Sequence, residues 1–287
     1  MSIISCHLMG GLGNQLFQIF ATLAYSIQTS KQIKFLYSEM LTTGKARPTY
    51  WESIFYMLKK YTLSNGGGEK NSLYSLPPFH EANFRYNPIP KFMDKSLMLI
   101  GYFQSYKYFE NEQTEIYKMI DLQNQTDTVR SEYAAVLNDD YHTISMHFRL
   151  GDYKDIQDRH PVMPLEYYQT ALLHIITNSN VNKPFKLIYF CEKEDNDDVI
   201  KTITILSRIF DFVTFEKADD NIPDWKQMLL MSCCQDNIMA NSTFSWWSAY
   251  LNQNSSKIVC YPRTWFGPTF THDVSDLFPP SWNKIVW

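Results

Sequence analysis

The residues best suited to chemistry are His147, Arg149, Gly151 and Asp152, all within His147-Phe-Arg-Leu-Gly-Asp-Tyr153. An imidazole and a carboxylate can move protons. A guanidinium presents a planar fork of N–H donors that suits bidentate binding of phosphate. Gly151 lets the backbone approach a ligand. Ahead of the heptapeptide, Thr143-Ile-Ser-Met146 alternates and is short enough for a buried strand. Behind it a polar stretch leads to Pro164, and then Leu165, Tyr168, Leu172, Ile175 and Ile176 recur at helical spacing. The heptapeptide is therefore expected at the C-terminal end of a strand, where open α/β sheets place their ligands. An ordinary strand-to-loop turn with a surface Arg–Asp pair accounts for the same residues equally well.

Two other stretches carry comparable signals. Ile3–Leu8 reads as an apolar strand running into Met9-Gly-Gly-Leu-Gly-Asn-Gln15, and a helix follows with Leu16, Phe17, Phe20, Leu23, Ala24 and Ile27 on its buried face. Strand, glycine-rich turn and helix aim backbone N–H groups at an anion. The spacing is neither a Walker A loop nor a dinucleotide fingerprint, and a generic tight turn is the plainer alternative. Near the C-terminus, Asn237–Ala240 reads as a short strand before Asn241-Ser-Thr-Phe-Ser-Trp-Trp247, with Ser242 or Thr243 capping a helix to Leu251. Asn241 is placed to hold sugar hydroxyls or to act as a cap. Phe244, Trp246 and Trp247 are read as packing residues in preference to sugar-stacking ones.

The elements that must position these residues alternate along the chain. Further strands are expected at Lys34–Tyr37, Leu97–Tyr102, Phe185–Cys191, Phe212–Phe215 and Lys257–Tyr261. Helices are expected at Trp51–Lys60, around Phe109–Ile120 and Thr128–Leu137, over Pro164–Thr177 and from Asp224. Residues 62–96, with Gly66-Gly-Gly68 and Pro77-Pro78, read as irregular. The polar Asn138-Asp-Asp140 marks the domain boundary, giving residues 1–140 and 141–287. Both halves open with strand, polar loop and helix, as two Rossmann-like domains would.

Composition sets the class. The chain has 287 residues, 45% hydrophobic and 20% charged, with a net charge of −4. That describes a folded globular chain large enough for two domains and argues against nucleic acid as a partner. No apolar run is long enough for a transmembrane helix, and Met1-Ser-Ile-Ile-Ser-Cys-His lacks the basic start of a signal peptide. A cytoplasmic location follows as an expectation, with peripheral membrane contact left open. Cys6, Cys191, Cys233, Cys234 and Cys260 lack metal-ligand spacing and read as buried free thiols. The histidines show no paired spacing. The one acidic run with metal-like spacing, Asp195-Asn-Asp197, sits in Glu192–Asp198 and reads as a solvated helix start.

Four stretches together resemble the α-1,2-fucosyltransferases, glycosyltransferase family 11. They are Gly10-Gly-Leu-Gly-Asn-Gln-Leu-Phe-Gln18, Gly101-Tyr-Phe-Gln-Ser-Tyr-Lys-Tyr-Phe109, the central heptapeptide and Ala240-Asn-Ser-Thr-Phe-Ser-Trp-Trp247. The resemblance implies a GT-B fold, two Rossmann-like domains facing across a cleft. It places the acceptor on the N-terminal domain and GDP-fucose mainly on the C-terminal one. It implies transfer of L-fucose, with inversion, to the 2-hydroxyl of an acceptor sugar, commonly a terminal galactose. Arg149 matches the arginine that contacts the donor phosphates, and Leu150 stands where the family carries a second arginine. Donor contacts are expected from Gly11, Gly13, Asn14, Gln15, Arg149, Asn241, Ser242, Thr243 and Phe244. Arg149, Asp152 and His147 are the expected catalytic residues, with Asp155, Asp158 and His160 also candidates for the base. Neither metal nor cofactor is expected. The alternatives are a transferase of another nucleotide-activated sugar and a non-catalytic nucleotide-sugar or glycan-binding module.

Overall fold

A computed structural model describes residues 2–42, 44–63 and 72–287. By contacts the chain forms two units, Met1–Gln125 with His272–Pro279, and Thr126–Thr271 with Pro280–Trp287.

Unit 1 is built on a four-stranded sheet of order β2-β1-β8-β7, all parallel. Its strands are β1 (Ile3–Cys6), β2 (Gln32–Ile33), β7 (Pro78–His80) and β8 (Leu97–Ile100). Two small ladders accompany it, β3 (Phe35–Leu36) with β6 (Thr62–Leu63) and β4 (Met40–Leu41) with β5 (Arg47–Pro48). Helix α1 (Leu12–Thr29) is apolar on nearly every face and almost wholly buried. Phe17 and Phe20 meet Phe109, while Phe35, Trp51 and Phe55 form a second ring cluster. The last stretch of unit 1 comes from far along the chain: Asp276 pairs with Lys107, its carboxylate accepts from Tyr86 N, and its carbonyl accepts from the Ser105 hydroxyl.

Several expectations change here. Strand β7 lies inside the stretch read as irregular. Pro78 is its first residue and β7 is an edge strand, so a missing N–H costs no ladder bond. The Gly66-Gly-Gly68 run lies outside the described residues. Trp51–Lys60 yields only a 3₁₀ helix at Tyr56–Tyr61, because Phe55 and Leu58 satisfy a three-residue repeat as well as a helical one. Short helices follow at α2 (Gln113–Met119), α3 (Leu122–Glu132) and α4 (Ala134–Leu137). The buried face of α3 is half polar, with Gln125 and Thr126 between Leu122 and Val129, and the Gln125 amide donates to Ile54 O and Ile120 O.

The contact boundary falls within α3, whereas the polar break at 138–140 suggested 140/141. From Thr126 onward the helix belongs with the second unit: Cys233 Sγ lies on Thr126 O, Arg130 reaches Cys233 O, and Glu132 pairs with Lys226.

Unit 2 holds a six-stranded parallel sheet, β9 (His142–His147), β10 (Phe185–Phe190), β11 (Thr214–Lys217), β12 (Asp236–Ile238), β13 (Val259–Pro262) and β14 (Asn283–Ile285). Their spatial order is β11-β10-β9-β12-β13-β14. Counted within the unit, this is the doubly wound 3-2-1-4-5-6 arrangement, with its switch point between β9 and β12. Helices α5 (Leu165–Asn178), α6 (Asn196–Ile209), α7 (Asp224–Ser232) and α8 (Thr243–Leu251) make the crossovers. Ile144 and Met146 of β9 enter one apolar core with residues of α5 and α6. The alternate residues face the other way, where Ser145 meets Asn237 and His147 meets Phe244 of α8. Trp246 and Trp247 are fully buried, and Trp246 stacks on Tyr250. All five cysteines are buried and free.

The turn that starts α1 depends on one backbone conformation. Gly10 has φ +75°, and a Cβ there would sit 2.4 Å from Asn14 Nδ2. Gly10→Ala is expected to cost ~1–3 kcal/mol through strain and to lower the thermal midpoint by a few degrees. Calorimetry showing an unchanged midpoint would contradict this.

Candidate functional site

The C-terminal ends of β9 and β12 flank the switch point of unit 2, and the central heptapeptide begins at the end of β9. Arg149 is 16% exposed, with Nη1 on Glu192 and Nη2 on Asp152. Its guanidinium also lies over the Tyr153 ring, 4.9 Å from the centroid. Burial opposes the charge, but Glu192 and Asp152 outweigh it and hold the pKa above its ordinary value. Glu192 follows β10, the neighbouring strand, by two residues. The strand-end argument that singled out Arg149 applies equally to Glu192, and the sequence reading overlooked it.

The loop carrying Arg149 is pinned from below. Asp195 is almost fully buried; its Oδ2 accepts from Gly151 N at 2.8 Å and its Oδ1 pairs with Lys154 at 2.8 Å. Asp198 reaches the same Lys154 at 2.8 Å. The acidic run expected to be a solvated helix start therefore has its central carboxylate inside the fold. A buried carboxylate needs such partners to be tolerated. Gly151 has φ +41°, and a Cβ would come within 2.6 Å of Glu192 Oε2. Leu150 packs against the core of the unit.

His147 lies beneath this loop. Its ring is 5.4 Å from that of Phe244, and its Nδ1 has no hydrogen-bond partner among the described residues. Burial, aided by the Arg149 charge, lowers its pKa from 6.5 to about 3. It is a neutral imidazole through the physiological range, suited to hydrogen bonding more than to proton uptake.

Across the switch point, Ser242 caps α8 by accepting from Phe244 N at 3.3 Å. Asn241 is buried. Its Nδ2 donates to Pro161 O at 2.9 Å and Trp265 O at 3.2 Å, tying two loops together, while its Oδ1 has no partner among the described residues. The Tyr153 hydroxyl donates to Asn241 O at 3.3 Å, which joins the β9 and β12 loops. Thr243 and Phe244 are half-buried at the first turn of α8.

Of the other base candidates, Asp155 is exposed and Asp158 is tied to Thr269. His160 stacks on Tyr153 at 4.7 Å and meets the rings of Phe266 and Phe270.

Unit 1 contains the remaining predicted residues. Gly11 precedes α1 in an extended conformation, and a Cβ there would meet nothing within 4 Å. Gly13 is buried in the first turn. Asn14 accepts from Gln104 Nε2 at 3.0 Å, joining the turn after β1 to the loop after β8. Gln15 is fully buried beneath the turn, and its Nε2 donates to Gly10 O and Pro48 O at 3.0 and 2.8 Å. Gln18 completes the support through a two-way amide contact with Met9.

Both units are built on parallel sheets, and the second carries a guanidinium and a capped helix start at its switch point. The Escherichia coli ADP-heptose LPS heptosyltransferase II superposes with a TM-score of 0.51 over 99% of this chain and 90% of that one, at 10% identity. The fold is GT-B. The family model described as glycosyl transferase family 11 matches residues 68–286. The chain belongs to that family, and it is a glycosyltransferase. Among curated relatives, the O-antigen biosynthesis glycosyltransferase WbnK of Escherichia coli is 27% identical, covering 98% of this chain and 99% of the relative. An Escherichia coli alpha-1,2-colitosyltransferase is 25% identical, covering 99% of each. No described helix is long and apolar enough to cross a membrane.

The state of His147 yields a stability prediction. Unfolded, it titrates near 6.5; folded, near 3, so between these values the unfolded chain binds the extra proton. The stability associated with neutral His147 is complete above pH 6.5 and is lost as pH falls toward 3, by at most ~1.4 kcal/mol per pH unit. In urea titrations between those limits, His147→Gln is expected to show a shallower acid limb. An unchanged limb would contradict the assignment.

Proposed function

We propose that the chain is an inverting α-1,2-fucosyltransferase moving L-fucose from GDP-fucose to the 2-hydroxyl of a terminal galactose or similar acceptor sugar. The observation that carries this reading is the half-buried Arg149 guanidinium, oriented by two carboxylates at the switch point of a Rossmann-type sheet. Breaking the bond between fucose C1 and the phosphate oxygen leaves negative charge on GDP while the sugar becomes oxocarbenium-like. A preorganised cation and a helix N-terminus stabilise such a leaving group without rearranging during the reaction. Glu192 and Asp152 use one N–H at Nη1 and one at Nη2, so Nε and the remaining N–H groups are available to phosphate oxygens.

In this reading unit 2 is the donor side, with Asn241, Ser242, Thr243 and Phe244 around the phosphates and sugar, and His147 a neutral hydrogen-bonding group beneath them. Unit 1 is the acceptor side, and its turn at Gly11, Gly13, Asn14 and Gln15 offers N–H groups to an anion. Asp152, which touches Arg149, is the loop carboxylate assigned to take the acceptor proton. Charge neutralisation by Arg149 and α8 serves without a divalent ion.

A second reading changes only the donor. Leu150 occupies the place of the family's second arginine, and one relative is a colitosyltransferase, so another nucleotide-activated deoxyhexose fits the same site. GDP-, UDP- and dTDP-sugars assayed with β-galactosides in EDTA, with product linkage determined by NMR, decide between them. An α-1,2-fucoside made only from GDP-fucose supports the first reading, and turnover restricted to another donor supports the second. Donor binding without turnover would indicate a binding module. Activity abolished by EDTA and restored by Mg²⁺ would remove the metal-free claim.

Arg149 gives the quantitative test. Arg149→Ala is expected to lower kcat by ~10²–10³ with the fold intact by circular dichroism. Arg149→Lys keeps the charge but loses the planar fork and is also expected to be impaired. Near-normal turnover in both variants would take Arg149 out of the mechanism.

A further inference from the structure

The Gly101–Phe109 stretch shares its sheet edge with the glycine turn but has no role in the reading above. Within unit 1, β1 and β8 are parallel neighbours, so the loops leaving their C-terminal ends lie side by side. The Asn14–Gln104 hydrogen bond joins them there. Open parallel sheets bind ligands outside the C-terminal ends of their strands.

The backbone after β8 is in a costly shape. Gly101 has φ +157° and Phe103 has φ +53°. The left-handed region is unfavourable for a phenylalanine and persists only where the surroundings enforce it. Here two groups do so. The Phe103 ring is fully buried, edge-on to Tyr108 at 5.3 Å. Glu81, one residue beyond β7, sends Oε2 to Tyr102 N at 2.7 Å and Phe103 N at 3.0 Å. Consecutive N–H groups converging on one oxygen form an anion nest. The close fit is specific to glycine: a Cβ at Gly101 would lie 2.4 Å from Glu81 Cβ. No ion pair joins Glu81 among the described residues, and burial raises its pKa.

The effect of this turn is to project one side chain. Phe103, Gln104 and Ser105 are buried, whereas Tyr102 is 37% exposed. Its ring and hydroxyl make no hydrogen-bond or ring contact with the described residues. An exposed tyrosine held on a rigid turn offers an apolar face and a polar tip at little conformational cost. That combination matches a pyranose, which has an apolar C–H face edged by hydroxyls.

We propose that the Gly101–Phe103 turn is the acceptor platform: the Tyr102 ring stacks on the apolar face of a pyranoside, and Glu81 is a positioning residue that holds the turn. The inference rests on unit 1 being the acceptor side of a glycosyltransferase. Whole-chain protein is titrated with methyl β-D-galactopyranoside by saturation-transfer NMR, and acceptor kinetics are measured with GDP-fucose. Tyr102→Ala is expected to weaken the saccharide signal and raise the acceptor KM roughly tenfold, with Tyr102→Phe close to wild type. The donor KM stays unchanged in both.

Glu81→Gln keeps an oxygen that accepts both N–H groups and should retain acceptor binding. Glu81→Ala, checked by circular dichroism and GDP titration, should behave like Tyr102→Ala. Unchanged saccharide signal and KM in Tyr102→Ala would overturn the platform. A large kcat loss in Glu81→Gln at constant acceptor KM would overturn the positioning role and mark Glu81 as a proton acceptor. Saccharide binding that depends on Tyr102, seen without turnover of any donor, would sink the fucosyltransferase reading while leaving the platform standing.

Discussion

All six strands of the larger sheet run parallel, and this constraint organises unit 2. Parallel neighbours cannot be joined by tight turns, so a long crossover must return the chain between them, and it carries a helix at every step except β13 to β14. Every strand then ends on the same edge, and every functional loop starts there. Because the order reverses between β9 and β12, the loops leaving those strands diverge, and Arg149 and the start of α8 flank the space between.

Positioning a cation at that edge requires carboxylates at several depths. Asp195 holds the Gly151 N–H and Lys154 from below, and Glu192 and Asp152 fix the guanidinium above. Asp195 is buried and Arg149 half-buried, so both would be costly without their partners, whereas Glu192, Asp152 and Lys154 keep much of their contact with water. The carboxylates hold the guanidinium in one orientation.

Unit 1 holds its loops with side-chain amides and one carboxylate. Its glycine turn is fixed by the amides of Gln15, Gln18 and Gln104, and the neighbouring turn by a single carboxylate acting on backbone N–H groups. Amides hold a backbone shape without adding net charge.

The sequence by itself determined the α/β class, most of the parallel strands and the central loop, because buried parallel strands are short apolar runs and glycine or capping residues mark their ends. The motifs around Gly11, Arg149 and Ser242 were legible for the same reason. Strands β7 and β14 were not, since Pro78 looks like a breaker until its place at the sheet edge is known. The start of α3 was also hidden, because the polar Gln125 and Thr126 interrupt the buried face that Leu122 and Val129 complete. Only the tertiary structure could assign Glu192 and Asp195 to Arg149's loop, from some 43 and 44 residues away, and draw His272–Pro279 back to unit 1. Strand pairing decides which distant residues meet, and periodicity along one segment carries no information about the segment that lies beside it.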